Sequence, residues 1–338
     1  ANARVQVRDA FHEVAQGIDP AAKREIRKSD TFDAVATEFI ERYAKPKNRG
    51  WKRQQADIER ELTPFWGTRP ITAITRRDVL DALDRVADRA SAVRANRLLA
   101  LMRRLFAWCL ERGILETSPA ANVKPPGKEA SRDRVLSDDE IRHVWKACDH
   151  VGHPFGAIFK LLLVTAQRRD EVGMMKWTDV DLTKGVWTVP REISKNGIAN
   201  EVPLSPLALS ILASVPRYAR ADGREEQLVF PAANGSGKPA SGYSKAKVRL
   251  DRIIAERRSE NELAAMPSWW LHDLRRTAAS SMARAGVAPH VIERVLNHIS
   301  GSQAGIAGVY NRYGYLPEKK GALNSWSEIL RRILADHP

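Results

Sequence analysis

Two adjacent prolines and a glycine in the run NVKPPGKEASRDR, residues 122–134, set the first limit on this chain. Proline lacks a backbone donor and its ring clashes with the preceding turn, so neither a helix nor a central strand runs through Pro125, Pro126 and Gly127. The 338 residues are also enough for two or three domains of about 100–200 residues each. We therefore expect a helical domain over 29–123, a linker over 124–134 and a second domain over 135–338, with 1–28 as an N-terminal helix or connecting segment.

Before the break the periodicity is helical. TFDAVATEFIERYA, from Thr31, spaces its apolar residues for one helix face, and KRQQADIERELTPFWG follows it. Thr75 stands three residues before Asp78 and reads as a capping box. The segment from Ser91 is a long amphipathic helix that ends near Gly113 and carries Arg94, Arg97, Arg103 and Arg104. Those arginines fit either a solvated face or a face turned to a polyanion.

After the break, Ser137 and Glu140 read as a second capping box, a better use for the acids at 138–140 than a metal site, since three neighbouring acids on one turn do not converge on one ion. GAIFKLLLVTAQRRDEVGMMKW reads as a buried helix, a short turn and a second helix. GVWTVP and ANEVPLS are strand-like, and Asn196-Gly197 between them signals a tight hairpin turn with positive φ at both residues, which places Lys195 beside the tip. Ser205-Pro206 starts a further helix, and the chain from Trp269 onward is helical again. The expected fold class is thus mainly α with a small antiparallel β-sheet.

Charge narrows the function. Lys and Arg number 55 against 41 Asp and Glu, a formal net charge of +14 spread along the chain rather than gathered on one amphipathic helix. That distribution suits a nucleic acid better than a membrane surface. The two cysteines form no CxxC pattern, which speaks against a disulfide framework or zinc knuckle and fits a reducing cytoplasm. No apolar run is long enough to span a bilayer and no signal-peptide core is seen.

The chemistry-bearing residues recur in an order. Arg168 stands where the buried helix breaks, with Glu171 three residues on; Lys195 lies by the hairpin; His272 and Arg275 share a helix face; His298 ends a helix; Tyr310 follows the loose stretch SGSQAGIAG. In that order, through TAQRRDEVGMMKW, SKNGIANEVPLS, LHDLRRTAAS, LNH and VYNRYGYLPEKK, the chain resembles the tyrosine recombinases, in particular phage and genomic-island integrases. The motifs span Thr165 to about Trp326, and a weaker likeness to the family's core-binding domain covers about Thr31 to Val123. The resemblance implies an α-helical core-type DNA-binding domain and a mixed α+β catalytic domain. An arm-type DNA-binding domain is expected ahead of Ala1, of which 1–28 would be the remnant.

The resemblance also implies roles. Arg168 and Arg275 clamp the non-bridging oxygens of a scissile phosphate. Lys195 protonates the departing 5′ oxygen, His272 serves as acid/base and donor, and His298 positions the phosphate. Tyr310 is the nucleophile, and Glu171 supports Arg168. The implied partners are double-stranded attachment sites, further copies of the chain in a synaptic tetramer, and DNA-bending and excision accessory proteins. No metal, cofactor or ATP is implied, and the place of action is the bacterial cytoplasm at the nucleoid. The final helix, around Trp326 and Ile329, is expected to dock on a neighbouring protomer. Three departures stand out: Thr-Ala-Gln precedes Arg168 where Thr-Gly-x is common, Leu-Asn-His appears where Leu-Gly-His is common, and the loop from His298 to Tyr310 is a few residues longer than usual, which makes Tyr313 the alternative nucleophile, with the VYNR context favouring Tyr310.

Elementary chemistry agrees. In-line attack on a phosphodiester passes through a charge-rich transition state that arginines match in geometry and charge. A tyrosine hydroxyl, with a pKa near 10, needs a positively charged pocket to act as a nucleophile. The rivals are a non-catalytic DNA-binding regulator, suggested by a helix-turn-helix-like run through Gly286-Val287, a type IB topoisomerase, and a metal-dependent nuclease or transposase. The metal-dependent reading needs separated carboxylates around two ions, and none of the usual metal-ligand spacings appears; the regulator leaves Lys195 and Tyr310 unexplained.

Overall fold

The computed structural model describes residues 31–129, 133–219, 223, 225–298 and 313–335. The expected helix over 1–28, the loop SGSQAGIAG and Tyr310 lie outside the described residues. The chain divides into two compact units between residues 131 and 132, inside the proline-rich break.

The N-terminal unit is helical. Helix α1, Phe32–Phe39, is capped by the Thr31 side chain and continues through a π-helical turn, Ile40–Ala44. Helices α2 (Trp51–Glu61), α3 (Thr63–Trp66), α4 (Arg76–Arg89) and α5 (Ala92–Glu111) follow. Thr75 and Asp78 form the expected capping box at α4, and α5 stops just before Gly113, whose φ of 66° no side-chain-bearing residue adopts freely. Phe32, Phe39, Trp66, Leu83, Leu99 and Phe106 fill the core, with Phe32 edge-on to Trp66. Each such side chain contributes roughly 1.5–3 kcal/mol by leaving water.

The C-terminal unit is built around one largely buried helix. Helix α6, Asp138–Val151, opens on the Ser137–Glu140 capping box, and Asp139 pairs with Arg258 at 2.6 Å. Helix α7, Phe155–Thr165, then runs through the middle of the core with Ile158, Phe159, Leu161, Leu162, Leu163 and Val164 all buried. Gly156 is required where α7 meets α6, because a Cβ there would lie 2.1 Å from the Cys148 carbonyl oxygen. Short helix α8, Arg169–Gly173, leads to the antiparallel strands β1 (Val180–Asp181), β2 (Val186–Val189) and β3 (Asn200–Pro203), with Trp187 opposite Val202. Helices α9 (Pro206–Ala213), α10 (Tyr243–Glu260), α11 (Leu271–Arg284), α12 (Pro289–Val295) and α13 (Leu316–Ala335) complete the unit. Helices α6, α9, α11 and α13 pack around α7.

One expectation changes. Asn196-Gly197 is not a two-residue hairpin turn: pairing ends at Val189 opposite Asn200, so the connection spans 190–199. Gly197 alone of the two has positive φ, at 72°. The Asn196 side chain instead caps its own loop, its Oδ1 accepting from the Ile198 N–H at 3.1 Å, and this local bond competes with a tight turn. Trp326 is fully buried in its own unit, and its indole N–H donates to the Leu163 carbonyl at 2.9 Å.

Candidate active site

The first arginine is set by the way α7 ends. Ala166 takes the left-handed conformation (φ 56°, ψ 22°), which stops the helix, and Arg168 is extended before α8 starts. Glu171, buried at 2% exposure, holds this turn from inside: one carboxylate oxygen accepts the Arg168 backbone N–H at 3.1 Å and the other its guanidinium at 2.9 Å. The Lys195 backbone N–H reaches the second of these oxygens at 3.5 Å. Glu171 thus supports Arg168 and draws in the 190–199 connection. Its negative charge at the α8 N-terminus is also favourable to the helix dipole.

The second arginine comes from α11. Asp273, fully buried, accepts the Trp270 N–H at 2.8 Å and pairs with Arg276 at 2.6 Å, which fixes the helix start. His272 and Arg275, one turn apart, share a face as expected. Arg275 is 6% exposed, and its guanidinium donates to the Ala166 carbonyl at 2.7 Å and to the Leu296 carbonyl. Both acceptors are neutral, so the cation is held in place without being neutralised by them. Burial pushes the Arg275 guanidinium down to about 10, and the nearby Arg168 charge works in the same direction; it stays protonated at neutral pH. Burial, then the charges of Arg275 and Arg276, push the His272 imidazole below its ordinary value, so it is neutral at pH 7.

The end of α12 supplies the last pieces. Asn297 sits at φ 45° and is 7% exposed. Its amide donates to Ser194 Oγ (3.1 Å) and to the Ile198 carbonyl (3.1 Å), while its own carbonyl accepts from Asn196 at 2.9 Å and from Arg168 at 3.4 Å. This one residue ties the Lys195 loop, Arg168 and the next residue, His298, to a common point. Asn297 and Ala166 are the two places where glycine is common in the resembling family, and both are left-handed. Asparagine tolerates that conformation better than most residues. Sequence reading marked both positions as departures but assigned neither a role; the positive φ was the available signal.

These elements meet at a cavity of about 230 Å³ lined by Arg168, Lys195, His272, Arg275 and His298, with Arg276 beside them. Five cationic or imidazole residues drawn from four separate segments therefore face one space. A wider cleft of about 700 Å³ shares Arg168, Lys195, His272 and Arg275 and is walled by Tyr243, Trp269 and the exposed Trp270. Such a site can hold one tetrahedral oxyanion with aromatic surface alongside it. Tyr310 lies outside the described residues. Beyond it, the Tyr315 ring is met by His290 at 5.8 Å and by the Arg294 guanidinium at 4.9 Å, with the Tyr313 ring tilted against it at 58° and 4.8 Å between centroids.

The four arginines of α5 belong to the other unit and are all engaged. Arg94 pairs with Asp57 at 2.5 Å, Arg97 with Glu129 at 2.7 Å and Arg104 with Glu111 at 2.5 Å, while Arg103 donates to the Val123 carbonyl. Arg104 also covers the Tyr43 ring at 4.5 Å. Both cysteines are buried and unpaired, and burial pushes each thiol up to about 12.

Known proteins resemble this chain over both of its units. The model of the phage integrase family matches residues 134–312, and that of the phage integrase central domain matches residues 32–125. Prophage integrase IntZ of Escherichia coli (strain K12) is 26% identical over 336 residues, covering 95% of this chain and 78% of its own. The integrase of Shigella phage Sf6 is 22% identical over 334 residues, with 97% and 83% covered. Among solved structures, a lambda integrase tetramer bound to a Holliday junction superposes with a TM-score of 0.62 at 17% identity, covering 89% of each chain. The chain belongs to the phage integrase family. It is a tyrosine-type site-specific recombinase.

Proposed function

We propose that the cavity seats the scissile phosphodiester of a double-stranded attachment site, and that this chain cleaves and rejoins DNA there through a 3′-phosphotyrosyl bond. The observation that carries the assignment is the convergence of Arg168, Lys195, His272, Arg275 and His298 on one space of about 230 Å³. Arg168 and Arg275 bind the two non-bridging oxygens. Tyr310 attacks in line, and its phenolic proton passes to the neutral His272. A phosphorus–oxygen bond forms to Tyr310 as the bond to the 5′ oxygen breaks, and Lys195 gives that oxygen its proton. His298 donates to the phosphate. Rejoining runs the same steps in reverse, so the bond energy is stored in the ester and no ATP is needed. The aromatic cleft beside the cavity takes the flanking nucleosides.

The N-terminal unit adds backbone contacts, for which Arg94, Arg97, Arg103 and Arg104 are the candidates, each exchanging its present partner for phosphate. The lambda integrase neighbour is a tetramer on a Holliday junction; recombination between two duplexes by this chain calls for the same number of copies. DNA-bending and excision proteins are its further partners, and the place of action is the bacterial cytoplasm, on the nucleoid. Among the described residues no helix is long and apolar enough to cross a membrane.

The test is to sequence DNA covalently trapped on the wild-type protein in cells and rebuild that site as a nicked duplex. A denaturing gel is expected to show an adduct with the wild type and none with Tyr310→Phe. No adduct with the wild type supports a DNA-binding regulator. Relaxation of plasmids whatever their sequence supports a type IB topoisomerase.

A further inference from the structure

Lysine 319 is buried at 4% exposure in the first turns of α13, the helix that follows the Tyr310 segment. No role in the reaction above uses it. Its ammonium donates to Asn200 Oδ1 at 3.1 Å and to the Glu201 carbonyl, both neutral oxygens. Asn200, 5% exposed on β3, then donates through Nδ2 to Gln167 Oε1 at 3.3 Å. Gln167, 1% exposed, donates through Nε2 to the Thr165 carbonyl at 2.8 Å and to the Val295 carbonyl at 2.9 Å.

The direction of this chain is dictated by its first member. An ammonium has donors and no acceptor. Asn200 must therefore turn its oxygen to Lys319 and its amide to Gln167, which leaves the Gln167 amide for the two carbonyls. Those carbonyls have a special place. Thr165 ends α7 and Val295 ends α12, where main-chain acceptors lack helical partners. The next carbonyls along, Ala166 and Leu296, are the two that hold the Arg275 guanidinium. Gln167 and Arg275 thus staple the same pair of helix ends in adjacent layers.

We propose that Lys319 is a positioning residue for the recombination reaction: through Asn200 and Gln167 it sets the spacing of the α7 and α12 ends, and hence the placement of Arg275, from the helix that follows the nucleophile's segment. The inference rests on the recombinase reading above. The fold has kept a costly group here. Burial pushes the Lys319 ammonium down to about 8, with Glu201 on β3 favouring the charge and Arg294 on α12 opposing it. A methionine of similar length would avoid that cost, so the donors themselves are what the site requires.

The test uses the full chain and the nicked duplex rebuilt from DNA trapped in cells. Lys319→Met, Gln167→Met and the double variant are compared in single-turnover adduct formation at saturating DNA, with affinity measured separately. Lys319→Met is expected to slow the step about 10–100-fold while affinity stays within about two-fold. The double variant is expected to be no slower than the slower single, because Lys319 and Gln167 touch only through Asn200. Asn200→Asp keeps an oxygen for Lys319 but removes the donor to Gln167; it is expected to fold and still to be slow. Lys319→Arg, which keeps donors, is expected to recover most of the rate. A Lys319→Met rate within two-fold of wild type, or single effects that multiply, overturns the relay. Should the wild type form no adduct, the recombinase reading falls. The relay is then read from the nitrogen NMR signals of the Arg275 guanidinium, expected to shift in Lys319→Met; unmoved signals overturn it.

Discussion

The arginines of α5 and those around α7 look alike in sequence and end up with different surroundings. On α5, Arg94, Arg97 and Arg104 each meet a carboxylate at 2.5–2.7 Å, so their charge is locally balanced. Arg275 is far more buried and gives its hydrogen bonds to two carbonyls, so its charge is aimed but unspent. The lesson is that the partner, and not the arginine, separates a structural cation from one available to an incoming phosphate. Arg168 lies between these extremes, since Glu171 orients it yet shares its two oxygens among three donors.

The sharpest way to break this contrast is to remove the unbalanced cation. Arg275→Ala is expected to lower single-turnover adduct formation by about 10²–10³, the usual loss for a transition-state donor, and to melt earlier because two buried carbonyls lose their donor. Arg275→Lys retains the charge but cannot bridge both carbonyls, and is expected to lose nearly as much rate. Glu171→Gln tests the intermediate case: Arg168 keeps its place in the chain but loses its carboxylate, and the rate is expected to fall about 10–100-fold with DNA affinity little changed.

Stability effects come next in size. Glycine accepts the backbone of Asn297 freely, yet Asn297→Gly is expected to destabilise by about 1–2 kcal/mol in urea titrations, since its amide bonds to Ser194 and Ile198 are lost. Arg94→Ala, on the balanced side of the comparison, is expected to cost only about 0.5–1 kcal/mol, as for a partly exposed ion pair. Its adduct rate at saturating DNA should match the wild type. If Arg94 also trades Asp57 for phosphate, the salt dependence of binding will be shallower by about one phosphate contact.

The folded His272 imidazole titrates below its ordinary value because it is partly desolvated and lies beside the Arg275 and Arg276 charges, an effect that its exposure to solvent keeps small. The unfolded chain therefore binds more protons in the window below 6.5, and stability rises with pH up to about that value and is lost on acidification. His272→Asn should flatten this part of the curve, measured by urea unfolding between pH 5 and 7. A wild-type curve already flat there would place the imidazole in water, outside the cation cluster.

Much of the scaffold was legible residue by residue. The capping boxes at Thr75 and Ser137, the stop of α5 before Gly113, and the buried run of α7 all depend on neighbours within a few positions, so local spacing exposes them. The Asn196-Gly197 turn was misjudged because its outcome depends on bonds beyond the dipeptide: Asn196 caps its own loop and reaches Asn297 across the fold. Gln167 carried no readable signal, since its partners lie on β3 and at the end of α12.

The order of Arg168, Lys195, His272, Arg275 and His298, and the interruption of helix at the paired prolines, were determined by the sequence alone. Only the tertiary structure decided that these side chains face one cavity, that Arg94, Arg97 and Arg104 meet carboxylates while Arg275 meets carbonyls, and that Lys319 reaches the same helix ends from the last helix. The reason is range. Periodicity and caps act across one helical turn, whereas the bonds that aim the site join residues separated by 109 positions for Arg275 and Ala166 and by 119 for Lys319 and Asn200.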